Sequence, residues 1–153
     1  YGPYGGYSYG EGYNPSTGRH GYREVAWDGD DWASHSEIYS ERNNVKTTTD
    51  RSFDDKEGKY RMERTIKGDD GEKIKTERTT NVEDGWQKTT RETSKGSSSK
   101  VERAWDKEGS LTSSGTFESG DGRSATLSGS YQDGQGSTEI KGSAYPLRML
   151  PPT

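Results

Sequence analysis

The sequence predicts an all-β, antiparallel fold, and three observations carry the prediction. Turn-forming clusters recur about every 10–15 residues, and the segments between them alternate along their length. No segment carries the i, i+3, i+4 apolar stripe of an amphipathic helix.

The turn clusters read DDKEG (54–58), KGDDGE (67–72), VEDG (82–85), KGSSS (95–99), DKEG (106–109), SGDG (119–122) and QDGQG (132–136). They are rich in Gly and Asp, which tolerate the left-handed backbone that tight hairpin connections require. Between them lie candidate strands at 33–41, 45–53, 59–66, 73–80, 86–94, 99–105, 110–118, 123–131 and 137–144. The expected architecture is a meander or sandwich-like domain of about eight or nine short strands.

Alternation supports each strand. Tyr60, Met62, Arg64 and Ile66 share one face of their segment, and Arg61, Glu63 and Thr65 the other. KYRMERT (59–65) and KIKTERT (73–79) are identical at four of seven positions, and DKEG occurs twice, which reads as duplication of a strand–turn unit. The Glu63-Arg64 and Glu77-Arg78 dipeptides are expected to form solvated ion pairs across adjacent strands. Large apolar residues flank the turns as candidate clasps, Phe53 with Tyr60, Ile66 with Ile74, and Trp105 with Leu111. Mid-strand positions are mostly Thr, Ser, Arg, Lys and Glu, so the expected sheet has clasped ends and a polar middle.

Residues 1–22 form a separate compositional zone with six of the ten tyrosines and two of the five prolines. Gly and Pro at this density exclude a helix and interrupt a long strand. The zone reads either as a flexible linker or as an extended assembly arm whose Tyr1, Tyr4, Tyr7, Tyr9 and Tyr13 dock on a neighbouring subunit. The implied layout is an arm with an acidic turn at 1–31, a β domain at 32–145 and a tail at 146–153.

Composition narrows the function. Only 23% of residues are hydrophobic and 31% are charged. Leu, Ile, Val and Phe total 14 of 153, well below the roughly 20% at which disorder becomes the default. Stability is therefore expected to come partly from neighbouring subunits. The formal charge of −4 is well mixed and no basic stripe is visible along the chain, so no nucleic-acid partner is expected. No apolar run approaches the roughly 20 residues of a membrane span. Cysteine is absent, and the first residue is Tyr1 instead of Met, as expected of a mature exported protein.

Catalytic signatures are missing. The two histidines, His20 and His35, lie far from any nucleophile motif, and no P-loop, HExxH, CxxC or G-x-S-x-G pattern occurs. The expectation is a protein that is not an enzyme. Asp28, Asp30 and Asp31 gather hard oxygen ligands around a glycine turn, and Asp69, Asp70 and Glu72 do so again, which makes a structural Ca²⁺ site at the first the one candidate metal site. No other cofactor is expected. Ser and Thr number 35, enough for O-linked sugar at 47–49, 97–99 and 112–114, or simply for polar strands.

The stretches YGPYGG (1–6) and YNPSTG (13–18) resemble the YGPYG and YNPxTG repeats of secreted and envelope-associated bacterial proteins. The resemblance covers about the first 20 residues and implies export from a bacterial cell, with no activity attached. A looser analogy is to extracellular fibres whose β-rich subunits donate a terminal strand. The combined expectation is a non-catalytic subunit of an extracellular homopolymeric fibre or surface layer, with identical subunits as partners. The alternative is a secreted polysaccharide- or matrix-binding module that holds glycans on Trp27, Trp32, Trp86 and Trp105.

Overall fold

The computed structural model describes residues 5–143, and they form one open antiparallel sheet whose spatial order follows the chain. The strands are β1 (Gly5–Asn14), β2 (Arg19–Asp28), β3 (Asp31–Ser40), β4 (Val45–Asp54), β5 (Lys59–Gly68), β6 (Lys73–Asn81), β7 (Trp86–Thr93), β8 (Ser98–Trp105), β9 (Leu111–Glu118), β10 (Ser124–Gln132) and β11 (Gln135–Ser143). Strands β3 to β11 occupy the nine expected segments to within about two residues.

The sheet has 11 strands, not the eight or nine expected, because the Gly/Tyr-rich zone is itself a hairpin of the same sheet. Tyr7, Tyr9 and Tyr13 recur at even spacing and fall on one face, with Gly6, Ser8, Gly10 and Gly12 on the other. Pro15, which would interrupt a strand, sits in the 15–18 loop. Gly6 is needed where it is, since a Cβ there would come within 2.3 Å of the Trp27 indole that lies over it. Tyr1, Tyr4 and the 146–153 tail lie outside the described residues.

Nor is the architecture a sandwich. Among the described residues there is a single layer, and no hydrophobic residue is fully buried. The most protected side chains are small and polar, namely Ser34, Ser40, Thr49 and Asn81. The fold therefore rests on the hydrogen-bond ladder, on cross-strand pairs worth about 0.2–1 kcal/mol each, and on its turns. A sequence with so few large apolar residues cannot fill the space between two sheets.

Turn chemistry fixes the register. Two-residue loops join β2 to β3 at Gly29-Asp30 and β10 to β11 at Asp133-Gly134. Asp133 and Gly134 both have positive φ, 51° and 80°, as a type I′ hairpin turn demands. The loops 15–18, 41–44, 55–58 and 82–85 each end on a left-handed residue, Gly18, Asn44, Gly58 or Gly85. Alternate connections, neighbours at one end of the sheet, are then stitched to one another. Glu41 N donates to Gly18 O (3.0 Å), Val82 N to Gly58 O (3.0 Å) and Trp105 N to Gly85 O (2.8 Å).

Candidate functional site: two unlike faces and two open edges

Directly opposed residues of a β ladder share a face, so the register sorts every strand side chain onto one of two surfaces. Every strand Asp, Glu and Lys lies on one surface, here the carboxylate face. Every strand Val, Ile, Leu, Met and Phe lies on the other, together with all strand arginines except Arg61. This second surface, the arginine face, has no carboxylate on any strand. The chain looks evenly mixed in charge because adjacent residues point to opposite faces; the fold separates what the sequence interleaves.

The duplicated segment shows the consequence. Arg64 and Arg78 do not pair with Glu63 and Glu77 as expected, because they point to the other side. Antiparallel pairing of two similar segments instead sets Glu63 directly opposite Glu77. Lys75 relieves the like charges, with Nζ 3.0 Å from Glu77 and 3.9 Å from Glu63.

On the carboxylate face, β2, β3 and β4 assemble a polar cluster around His35. Its Nδ1 lies 2.6 Å from Asp50 Oδ1 and its Nε2 3.0 Å from Glu37 Oε2. Glu37 also accepts from Tyr22 Oη at 2.5 Å and from Lys46 Nζ at 2.8 Å. The Lys46 ammonium, then the Tyr22 hydroxyl and the His35 ring, hold the Glu37 carboxyl down at about 2. The same bond to Glu37 pushes the Tyr22 hydroxyl up to about 12. The bonds to Glu37 and to Asp50 raise the His35 imidazole above its ordinary value. A carboxylate facing each ring nitrogen favours the charged, doubly donating form of His35. Sequence reading passed over this cluster. Its only linear signal is that His35, Glu37 and Tyr39 alternate on one strand.

The arm tyrosines line the same face. Tyr7 Oη donates to Glu24 (2.7 Å), and Tyr9 stacks on Tyr22 with centroids 5.9 Å apart. Tyr13 packs edge-on against His20 at 6.2 Å. These rings are therefore seated on their own sheet, yet Tyr7, Tyr9 and Tyr13 keep 52, 54 and 60% of their surface in solvent.

The arginine face holds the expected clasp residues. Phe53 lies opposite Tyr60, Ile66 opposite Ile74, and Trp105 opposite Leu111. The Trp27, Trp32, Phe53 and Tyr60 side chains form one continuous row across β2 to β5. Trp32 and Tyr60 meet above it with centroids 5.8 Å apart. Three of the four tryptophans are on this face; Trp86 is on the other. A groove of about 1170 Å³ opens over β1 to β5, lined among others by Arg23, Ile38, Thr49, Arg51 and Arg64.

Asp28 and Asp31 face each other at the β2–β3 hairpin end, with Asp30 in the loop between. Asp31 Oδ1 accepts the Asp55 backbone N–H at 2.7 Å and so ties this hairpin to the next. In the 69–72 loop Asp70 Oδ1 accepts the Glu72 N–H, Asp69 accepts from Asn44 Nδ2 of the 41–44 loop at 3.1 Å, and Glu72 pairs with Lys95. Among the described residues, no three acidic or histidine side chains converge as a metal-holding group.

The outer sides of β1 and β11 are the sheet's two open edges, since neither strand has a second neighbour among the described residues. There is no helix among those residues, and hence none long and apolar enough to cross a membrane. Comparison with protein-family models, curated proteins and solved structures finds no match to this chain.

Proposed function

We propose that this chain is a non-catalytic structural subunit of an extracellular homopolymeric fibre or surface layer, joined to its neighbours through β1. The observation that carries the reading is the β1 edge. It offers ten residues of backbone whose outer side has no partner strand among the described residues, and natural sheets block such edges with Lys, Pro or a bulge. Strand β1 contains neither Lys nor Pro, and its ladder to β2 runs unbroken from Gly5 to Asn14. At the far end, β11 presents a second long edge with only Glu139 and Lys141 charged.

Joining the β11 edge of one copy to the β1 edge of the next is a heterologous contact, which propagates as an open filament instead of closing. An odd number of strands means that β1 and β11 run in the same direction. Copies related by translation along the sheet would therefore meet through a parallel junction in an otherwise antiparallel ladder. Backbone pairing supplies the affinity in this mode of strand addition.

Edge charge tests the proposal without disturbing the fold. A Cβ at Gly10 or at Gly12 meets nothing within 4 Å, so Gly10→Lys and Gly12→Lys fit the folded chain. The double variant should keep the β circular-dichroism signal and fail to form filaments in negative-stain microscopy. Filaments of wild-type length from the folded double variant would remove β1 as the assembly edge. A structural Ca²⁺ at the Asp28–Asp31 hairpin end remains a subsidiary proposal, tested by whether excess chelator lowers the melting temperature.

A further inference from the structure

We propose that the arginine face is a binding track for an anionic polysaccharide, a site separate from the edges and independent of how copies assemble. Strands β2, β4, β5, β6, β7 and β8 each place one arginine in three adjacent rows of this face. Arg23, Arg64 and Arg91 share one row, Arg51 and Arg78 the next, and Arg103 stands in the third, which begins with the Trp27–Tyr60 aromatic row. Strands lie about 4.8 Å apart, so the track runs roughly 30 Å across the sheet. Its direction is perpendicular to the chain, which is why no basic stripe can be read along the sequence.

These guanidinium groups lack the partners that surface arginines usually find. None of the six is in an ion pair among the described residues, while lysines of the opposite face are paired with carboxylates repeatedly. Arg64 Nε and Arg78 Nε donate to Thr49 and Thr89 hydroxyls, at 3.2 and 3.1 Å, which orients their forks. Arg51 Nε is buried without a hydrogen-bond partner. Arg23, Arg51 and Arg64 line the groove over β1 to β5, where Glu11 of β1 also contributes to the wall. The use of Arg here and, Arg61 apart, of Lys on the other face matters chemically. The planar fork binds carboxylate or sulfate in bidentate fashion, which an ammonium does not.

The occupant follows from what stands between the arginines. Ser34, Ser36, Thr49, Thr76, Thr89 and Ser99 interleave with the first five of these arginines in the same rows and offer donors and acceptors to sugar hydroxyls. A sugar ring advances an extended glycan by about one strand spacing. Single-stranded nucleic acid would need aromatic rings free to stack on bases. Here Trp27 covers Gly6 and Trp32 is packed on Tyr60, and the exposed rings of Phe117 and Trp105 stand on β9 and at the end of β8, beyond the last arginines of the track. A second copy's arginine face would set guanidinium against guanidinium.

Binding of the full chain to polygalacturonate, a sulfated glycan, neutral dextran and oligo-dT decides the matter. Both anionic glycans should bind and dextran should not, with affinity falling as salt rises. The preference between them separates carboxylate from sulfate as the recognised group. Arg51→Gln, Arg64→Gln and Arg78→Gln together should weaken glycan binding on the order of a hundredfold. Lys67→Gln, Lys73→Gln and Lys88→Gln on the opposite face remove the same charge and should change it less than about threefold. Equal losses from both triples would overturn a specific track, as would absence of glycan binding; tighter binding of oligo-dT than of either glycan would replace the glycan with nucleic acid. If the arginine triple fails to fold, the Nε–H resonances of the wild-type arginines answer the same question. They should shift on adding polygalacturonate, and unmoved resonances would end the proposal.

Discussion

At the scale of single residues, the fold depends on positions that no hydrophobic inventory would single out. Gly85 is one. It has φ of +75°, and a Cβ there would lie 2.4 Å from the Trp105 carbonyl that its loop approaches. Gly85→Ala should cost about 1–3 kcal/mol in urea denaturation, a large loss for a solvent-side loop. Gly29→Ala, also at positive φ but with open space around it, should cost less, and the comparison isolates the close approach. His35 gives the corresponding prediction in pH. Its folded value is raised, so its contribution is complete below the ordinary value near 6.5 and is lost as pH rises through the folded value. Glu37 is depressed, so its contribution is present above its ordinary value near 4.5 and is lost as pH falls through about 2. Both are in force between about 4.5 and 6.5. The melting-temperature difference between wild type and His35→Gln should therefore be largest near pH 5.5 and shrink on the alkaline side. A difference that grows with pH would mean that His35 is held neutral.

At the scale of strands and hairpins, turn chemistry made nine of the elements readable, because DKEG, VEDG and SGDG mark loops whatever lies between them. The first two strands were obscured by glycine. Yet Tyr7, Tyr9 and Tyr13 already carry the period of a strand, and Pro15 already marks a loop. The clasp pairs were legible for the same reason, since residues flanking a short loop must meet across it. The sorting of charge between faces was not legible. It depends on the register of every hairpin, and a one-residue slip would exchange the faces. The Glu63–Glu77 opposition is the sharpest case, and it predicts that Lys75→Gln lowers the denaturation midpoint and that added salt restores most of the loss. The clasp at the β8–β9 end is weaker than a core contact. Trp105 and Leu111 each keep 37% of their surface exposed, so Trp105→Ser should cost about 1 kcal/mol instead of the 3–5 kcal/mol of a buried aromatic.

At the scale of the whole molecule, one sheet must do without the burial that stabilises two packed layers. None of the apolar residues of the described chain is fully buried, and every strand Val, Ile, Leu and Met stands on the same, uncovered face. Among the described residues backbone pairing is continuous inside the sheet and ends at β1 and β11. Adding a neighbour at an edge would satisfy a row of backbone groups without requiring any new fold. A large part of the folding free energy should then come from assembly, which makes apparent stability depend on protein concentration. The wild-type midpoint in urea should rise over a hundredfold increase in concentration. That of the edge-blocked Gly10→Lys, Gly12→Lys chain should stay constant and lie below it. Amide exchange should report the same difference locally, with β1 and β11 protected in the polymer and fast in the blocked chain. Light scattering on the same samples establishes which species is unfolding. A cooperative transition that is independent of concentration in a proven wild-type monomer, at the same midpoint as the blocked chain, would show that the single layer is self-sufficient and that its edges contribute nothing to its stability.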